Sequence, residues 1–509
     1  MARFYLTTAI DYANGDPHMG HALEKIGADA IARYRRLAGD DVHFLMGMDE
    51  HGQKVGQAAA ARGVSPQVLV DQVAARFEDT WRRLDISYDQ FIRTTDAPHQ
   101  RGVKALIEHI RARNPDDFYQ KSYEGWYCVG CELFKRDNEI SDGHCVLHPT
   151  LTLEWTKERN WFFRLTKYAD FLATVFRTRP AFLRPESRRN EILGLLEQGV
   201  EDISITRSRL SWAIPFPFPT DDGAPQGTWV WFDALPNYLT ATGYPEPRFA
   251  KRWPADLHVV GKDITRLHAV VWPAMLEAAG LELPREVWAH GFIAFGGERL
   301  SKSAGVTVNL NDAIDRFGVD AFRYFLLREI PFDGDGNFSW ERFDERYTAD
   351  LANAFGNLAS RVLAMVEKYR GGVVPRGAPT ELDRLDADGL TEYHLAMSGQ
   401  RGYLLHEALR SVLQSVARGN EYIQAVQPWA LAKAGGGGDQ LDDVLAALTR
   451  QLARHAVCLA PFTPGKSEAL WAQLGGPEPI SALRFSGLAA LDVTGWRVRK
   501  GEPLFPRPL

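Results

Sequence analysis

Two histidines, separated by Met19 and Gly20 in Pro17-His18-Met19-Gly20-His21, open the first long helical run of the chain. A helix N-terminus offers unpaired N–H groups and a partial positive charge, so it favours an anion such as a phosphate. The two imidazoles add donors beside that spot, and Gly20 lets a flat base or ribose approach the backbone. A second piece, Arg299-Leu300-Ser301-Lys302-Ser303, falls in a loop about 280 residues later. There a lysine flanked by hydroxyls can reach polyphosphate oxygens as a point charge. Taken singly, these stretches read equally well as a polar helix start and a solvated basic loop. A third group, Cys128, Cys131, Cys145 and His148, forms a CxxC…CxxH pattern with 13 residues between its halves. Three thiolates and one imidazole suit a closed, tetrahedral structural Zn²⁺ site. A redox CxxC pair would want a thioredoxin-like setting and would leave Cys145 and His148 unexplained.

The elements that must position these residues follow from the hydrophobic pattern. Phe4 to Thr8 reads as a strand, and Asn14-Gly15-Asp16-Pro17 as a turn. Leu23, Ile26, Ala30, Ile31, Tyr34 and Leu37 then recur at helical spacing up to a C-cap at Gly39. Val42 to Met46 is the next strand, so the start is βαβ and predicts a doubly wound parallel sheet with ligands at the carboxyl ends of its strands. The same grammar returns with a strand at 257–260, a helix over 265–279 and a strand at 287–293. Residues 116–224, with the cysteine cluster and Pro215, Pro217 and Pro219, interrupt the sheet as an insertion. From about residue 350 the pattern is Ala- and Leu-rich and helical. The run Ala434 to Gly438 inside it is an inter-helix loop; a phosphate cradle would need a preceding strand and a following Lys-Ser/Thr.

Composition narrows the class. A chain of 509 residues has room for three or four domains and needs no disulfide to fold. Its 59 basic and 65 acidic side chains give a net charge of −6, which disfavours nonspecific coating of nucleic acid. Four cysteines, the absence of a long apolar run and an N-terminus without a signal-peptide core predict a cytoplasmic protein with no membrane association.

The joint occurrence of His-x-Gly-His after the first strand and a Lys-Ser loop after the last ones resembles class I aminoacyl-tRNA synthetases. The segments Thr8-Ala9-Ile10-Asp11-Tyr12-Ala13-Asn14-Gly15, Gly47 to Gly52, Trp229 to Leu235, Gly261-Lys262-Asp263-Ile264, and His268 followed by Trp272-Pro273-Ala274-Met275-Leu276 are similar to the methionyl-tRNA synthetase family over nearly the whole chain. The resemblance implies activation of L-methionine by ATP to methionyl-adenylate, with release of pyrophosphate, then transfer to tRNA(Met), initiator and elongator. It implies a methionine pocket of Ala9, Ile10, Tyr12, Trp231, Ala234, Tyr238, Ile264 and His268, with Asp49 on the ammonium. A polarizable thioether suits aromatic edges and aliphatic walls. For ATP with Mg²⁺ it implies His18, Gly20, His21, Glu24, Gly261, Asp263, Lys302 and Ser303, of which His18, His21 and Lys302 are catalytic. For the anticodon it implies Asn357, Arg361 and Trp429, and Arg184, Arg188, Arg189 and Arg207 become candidates for the acceptor stem.

The expected organisation is a Rossmann-like α/β catalytic domain in two halves (1–115 and 225–295), split by a connective domain with one zinc knuckle (116–224). A mobile-loop and linking domain (296–349) and an all-α anticodon-binding domain (350–509) follow, in a monomer. Arg299 and Leu300 replace the family's usual Lys and Met, keeping charge and bulk, and Asp11 puts an unexplained negative charge near the pocket. Leu, Ile and Val enzymes usually carry a large editing insertion, which an insertion of about 100 residues filled by the zinc segment does not accommodate. A cysteine enzyme would want a metal with an open position. A noncatalytic tRNA-binding relative is disfavoured by intact His18, His21 and Lys302.

Overall fold

The computed structural model describes residues 1–131, 133–135, 137–146, 148–208, 210–295, 298–299, 309–433 and 438–506. Its central sheet has seven strands: β1 (Arg3–Thr8), β2 (Asp11–Tyr12), β3 (Asp41–Asp49), β4 (Gln90–Arg93), β5 (Leu183–Arg184), β6 (Leu257–Gly261) and β7 (Val287–His290). Every pairing among them is parallel, in the order β4-β3-β1-β6-β7-β5, with β2 continuing the line of β1 along the end of β3. Strands covered on both faces need no polar alternation, and Phe4 to Thr8 is buried throughout. The chain departs from β1 toward β3 on one side and β6 lies on the other, so the switch point opens at the carboxyl ends of β1 and β6.

Four expectations change in detail. The strand predicted at 287–293 stops at His290, and Ile293–Phe295 pairs in a separate sheet with Gly336–Phe338. Within the stretch 116–224 read as an insertion, Leu183–Arg184 returns to the central sheet as its edge strand. The strand predicted at 42–46 runs on to Asp49, which carries that carboxylate to the strand end. The helix predicted over 265–279 is a composite: a 3-10 turn at Lys262–Ile264, a π turn at Leu267–Val271 and an α-helix at Trp272–Ala279. A π turn re-aims the side chains it carries, here His268.

The first helix, α1 (Met19–Ala38), is buried on most of its surface because it lies between the sheet and the C-terminal half. Tyr34 packs edge-on against Tyr393 and Phe485 of the helical region. Deeper in, Arg323 is fully buried and binds Asp29 of α1 (2.6 Å), together with the carbonyls of Leu84 (3.0 Å), Phe462 (3.0 Å) and Pro461 (3.0 Å). Asp29 also accepts from Arg33 and from Ser87 N–H and Oγ, and these partners outweigh burial to hold its carboxyl down at about 2. One guanidinium therefore joins the sheet domain, its own helix Val319–Glu329 and the turn before Pro464–Leu474.

The insertion projects as an antiparallel hairpin of Phe118–Cys128 against Glu154–Phe163, in register from Phe118↔Phe163 to Tyr127↔Glu154. Its base packs Phe118 and Phe163 against Phe232, and its tip carries the cysteine cluster. The C-terminal region consists of helices Asn357–Arg370, Glu381–Met397, Leu405–Val426, Pro428–Lys433, Gly438–Leu459 and Pro464–Leu474. The predicted loop at 434–437 lies outside the described residues.

Candidate active site

The start of α1 is built by its own histidines. The backbone N–H groups of Gly20 and His21 donate to His18 Nδ1 (3.2 and 3.4 Å), and His18 N–H donates to His21 Nδ1 (3.3 Å). This is a capping box in imidazole form, and the two rings stack with centroids 3.6 Å apart. Because each Nδ1 accepts, the neutral proton of each ring sits on Nε2, so both histidines present an Nε2–H donor. Gly20 has a role that the sequence reading missed: a Cβ there would stand 3.1 Å from His18 Cε1, so the glycine admits the folded-back ring.

Beneath this loop, Glu24 is buried, with one oxygen on Lys25 Nζ (2.6 Å) and the other on His290 Nε2 (3.1 Å). Burial raises its pKa, but Lys25 and His290 outweigh it and hold the carboxyl below its usual range. Asp11 pairs with Lys25 (2.9 Å), which accounts for the charge that the sequence left unexplained. In the short β2 the faces alternate: Tyr12 is opposite Asp49 and Asp11 opposite Met48, so Asp11 turns away from the Tyr12 and Asp49 face toward α1.

The residues expected to line a pocket come together around the end of β1. Ile10, Tyr12, Trp231 and Ile264 are half-buried and pack on the cluster that includes Ala9 and Tyr238. Ala234 is buried three residues after Trp231, whose ring meets His268 edge-on at 6.2 Å. His268 Nδ1–H donates to Ile264 O (3.0 Å), and Tyr238 O–H donates to His268 Nε2 (2.7 Å). Burial pulls the His268 pKa down to about 4 and raises that of the Tyr238 hydroxyl, so both are neutral and the floor carries no charge. Asp49 ends β3, buried, and its carbonyl accepts from Ala13 N–H (2.9 Å). Gly261 ends β6, and Asp263 follows in the 3-10 turn.

A network that sequence reasoning missed braces this wall. His51 Nδ1 meets Asp233 Oδ2 (2.7 Å), His99 Nε2 meets Asp233 Oδ1 (3.0 Å), and His99 Nδ1 meets Thr240 Oγ1 (2.8 Å). All four residues are buried. Burial lowers the His51 pKa, but Asp233 outweighs it and raises the net value. Only the proximity of His51 to Asp49 and of Asp233 to Trp231 in sequence hinted at this pairing.

Lys302 and Ser303 lie outside the described residues. On either side, Glu298–Arg299 pairs antiparallel with Ile293–Phe295, and the chain resumes at Asn309, which caps Leu310–Phe317. The arginine candidates for an acceptor stem fare unevenly. Arg184 is engaged by both oxygens of Glu286 (2.6 Å each), and Arg207 is buried on the carbonyls of Ser204 (3.1 Å) and Thr206 (2.7 Å). Both are thus engaged within the protein, and Arg188 and Arg189 pair with Glu191 and Glu186 on their own helix. In the helical region, Trp429 is 39% exposed and Asn357 is exposed. Arg361 lines a groove with Asn420, Glu421, Gln424 and Ala425.

At the hairpin tip the donor atoms of Cys128, Cys131, Cys145 and His148 all lie within 4.8 Å of one another, a set that could hold a metal ion. Cys131 Sγ is 3.6 Å from Cys145 Sγ and 3.3 Å from His148 Nδ1, and Cys128 Sγ is 3.8 Å from His148 Nδ1. The thiols are not joined as disulfides, and Cys458 is buried elsewhere in the helical core. Gly130 makes the approach possible, since a Cβ there would stand 2.6 Å from the His148 ring.

Known proteins match this chain along its length. A family model described as "tRNA synthetases class I (M)" matches residues 4–149 and 136–363. The methionine–tRNA ligase of Caldanaerobacter subterraneus subsp. tengcongensis is 41% identical over 99% of this chain and 78% of its own length. That of Streptomyces coelicolor is 40% identical over 99% of this chain and 96% of its own. The Mycobacterium tuberculosis methionyl-tRNA synthetase in complex with methionyl-adenylate superposes with a TM-score of 0.93 at 39% identity, covering 100% of each chain. With the paired histidines, the aromatic cluster around His268 and the four-donor cluster in place, the chain belongs to the methionyl-tRNA synthetase family of class I aminoacyl-tRNA synthetases.

Proposed function

We propose that the chain performs methionine–tRNA ligation with the residues gathered at the carboxyl ends of β1, β3 and β6. The observation that carries this reading is the pair of Nε2–H donors set by the His18 and His21 capping box, next to an uncharged aromatic pocket. Methionine lies with its thioether against Trp231, Tyr238 and His268 and its ammonium on Asp49. Its carboxylate attacks the α-phosphorus of ATP in line, and pyrophosphate leaves. His18 and His21 donate to the oxygens on which charge grows, Glu24, Gly261 and Asp263 receive the nucleoside, and Lys302 with Ser303 follows the leaving phosphates. Mg²⁺ bound with ATP supplies charge neutralisation on the β- and γ-phosphates. The terminal ribose of tRNA(Met), initiator or elongator, then takes methionine from the adenylate.

Trp429 stacks on an unpaired anticodon base, while Asn357 and Arg361 bond base edges. The exposure of Trp429 supports this role, since a tryptophan serving only the core would be covered. Cys128, Cys131, Cys145 and His148 would hold one structural Zn²⁺, three thiolates and an imidazole closing the site with no position left for a reacting water. Among the described residues no helix is long and apolar enough to cross a membrane. We take the protein to act in the cytoplasm, as a translation enzyme, and as a monomer. The division at 1–115, 116–224, 225–295, 296–349 and 350–509 belongs to the same reading.

The test is amino-acid-dependent ATP–pyrophosphate exchange across all twenty amino acids without tRNA. Exchange with methionine alone is expected. Exchange driven by a different amino acid would discard the pocket assignment.

A further inference from the structure

In the charge cluster beneath His18 and His21, Lys25 and Asp11 have no part in the steps above. Lys25 Nζ, with no exposure, has three hydrogens and three acceptors: Ala9 O (2.8 Å), Glu24 Oε1 (2.6 Å) and Asp11 Oδ1 (2.9 Å). Asp11 Oδ1 also stands 4.0 Å from His21 Nε2, while Asp11 Oδ2 is buried without a hydrogen-bond partner. Counting formal charges, Lys25 neutralises Glu24, and one carboxylate, that of Asp11, is left over. It lies behind the helix end that receives the ATP phosphates in the reading above. A buried negative charge there repels a polyanion with little solvent screening.

We propose that Asp11 is a positioning residue for the nucleotide, acting through His21: it takes up one proton as ATP binds, which turns the cluster beneath the histidines from net negative to neutral. The proposal rests on the reading of His18 and His21 as the phosphate site. Groups facing Asp11 agree with it. From α1 these are His21, Glu24 and Lys25; His290 of β7 acts through Glu24, and Tyr238, across the sheet end, feels Glu24, Asp49 and Asp11. Glu24 is held low and Lys25 high by their mutual contact and neighbours, so neither changes charge near neutrality. Burial pushes the Asp11 carboxyl up to about 7, against the pull of Lys25 and with the push of Glu24. A phosphate arriving beside His21 raises it further, and the proton comes from solvent.

Calorimetry of the full chain with Mg²⁺ and a non-hydrolysable ATP analogue, in two buffers of different ionisation enthalpy at neutral pH, counts the protons. Wild type is expected to take up about half a proton more than Asp11→Asn, because about half of its carboxyls start ionised. In methionine-dependent exchange, the ratio of wild-type to Asp11→Asn KM for ATP is expected to rise about 25-fold from pH 6.5 to pH 8.5, as the protonated fraction falls. Taking the ratio removes the titration of ATP itself. Equal proton uptake and parallel pH profiles overturn the proposal. If Asp11→Asn fails to fold by circular dichroism, Asp11→Ser, smaller and also uncharged, leaves the Lys25–Glu24 pair in place and carries the same expectation. His21→Ala separates the two readings. If it leaves nucleotide affinity and exchange intact, the phosphate-site assignment fails. If it cripples them while Asp11→Asn tracks wild type at every pH, only the Asp11 role is lost.

Discussion

Replacing Arg323 by Met removes the guanidinium that joins the sheet domain to the helical half. Two magnitudes bound the effect. Asp29 is held at about 2 against an ordinary 3.8, a difference worth about 2.5 kcal/mol, shared among Arg323, Arg33 and Ser87. The carbonyls of Leu84, Pro461 and Phe462 lose their donor as well, and breaking a buried charge pair by removing one partner typically costs about 3–5 kcal/mol. Most of the loss therefore comes from stranded carbonyls and the fully desolvated contact, and about 4 kcal/mol is expected. Because the contact spans the two halves, its loss loosens the helical region against the catalytic site. Calorimetric unfolding should show a destabilised variant, and charging of tRNA should fall much further than exchange without tRNA. The pH dependence has a fixed sign. Asp29 is depressed in the folded state, so its contribution is fully present above about pH 4 and fades as pH falls toward 2. The gap between wild type and variant should narrow over that window by the Asp29 share and keep the part owed to the stranded carbonyls. An unchanged midpoint with charging and exchange affected equally would refute the reasoning.

Lys302→Ala should lower exchange by about 10²–10³-fold, the cost of one charge-stabilising donor, while methionine binding by calorimetry stays as in wild type; unchanged turnover would remove the lysine from the mechanism. Trp429→Ala should cut kcat/KM for tRNA charging by the worth of one stacked base, about 1–3 kcal/mol, with exchange unaffected. Equal loss in both assays would count against two separate sites. Cys131→Ala should abolish bound zinc by elemental analysis and loosen the hairpin tip in hydrogen exchange, leaving protection of the central sheet intact. Zinc retained at one equivalent would exclude the four-ligand site.

The fold and the site were legible to different depths. The strand-helix-strand start and the spacing of His18 and His21 were visible because each is local: a run of apolar residues, a turn, a helical period. The four-donor cluster was visible because ligand spacing is itself a constraint on sequence. Asp11 was noticed only as an anomaly, since its partner Lys25 lies one helix away and nothing in a linear reading links them. The Asp233 bridge between His51 and His99 was invisible for the same reason, with its members up to 182 residues apart. Arg207 was a candidate for the acceptor stem by resemblance, and a linear reading does not show that its guanidinium closes on the carbonyls of Ser204 and Thr206. The composite turn around His268 escaped because a π turn leaves no periodic signal that a helix lacks.

The histidine capping box means that one short word of sequence is read twice, once by the folding chain and once by the chemistry. His18→Ser with His21→Glu would spell an ordinary capping box and leave α1 as well started as before. A design procedure that scores only foldability would regard that exchange as neutral, or as an improvement, and would delete the imidazole donors without any warning in stability. Redesign of this chain should therefore hold positions 18 and 21 fixed for a reason that no folding criterion can supply.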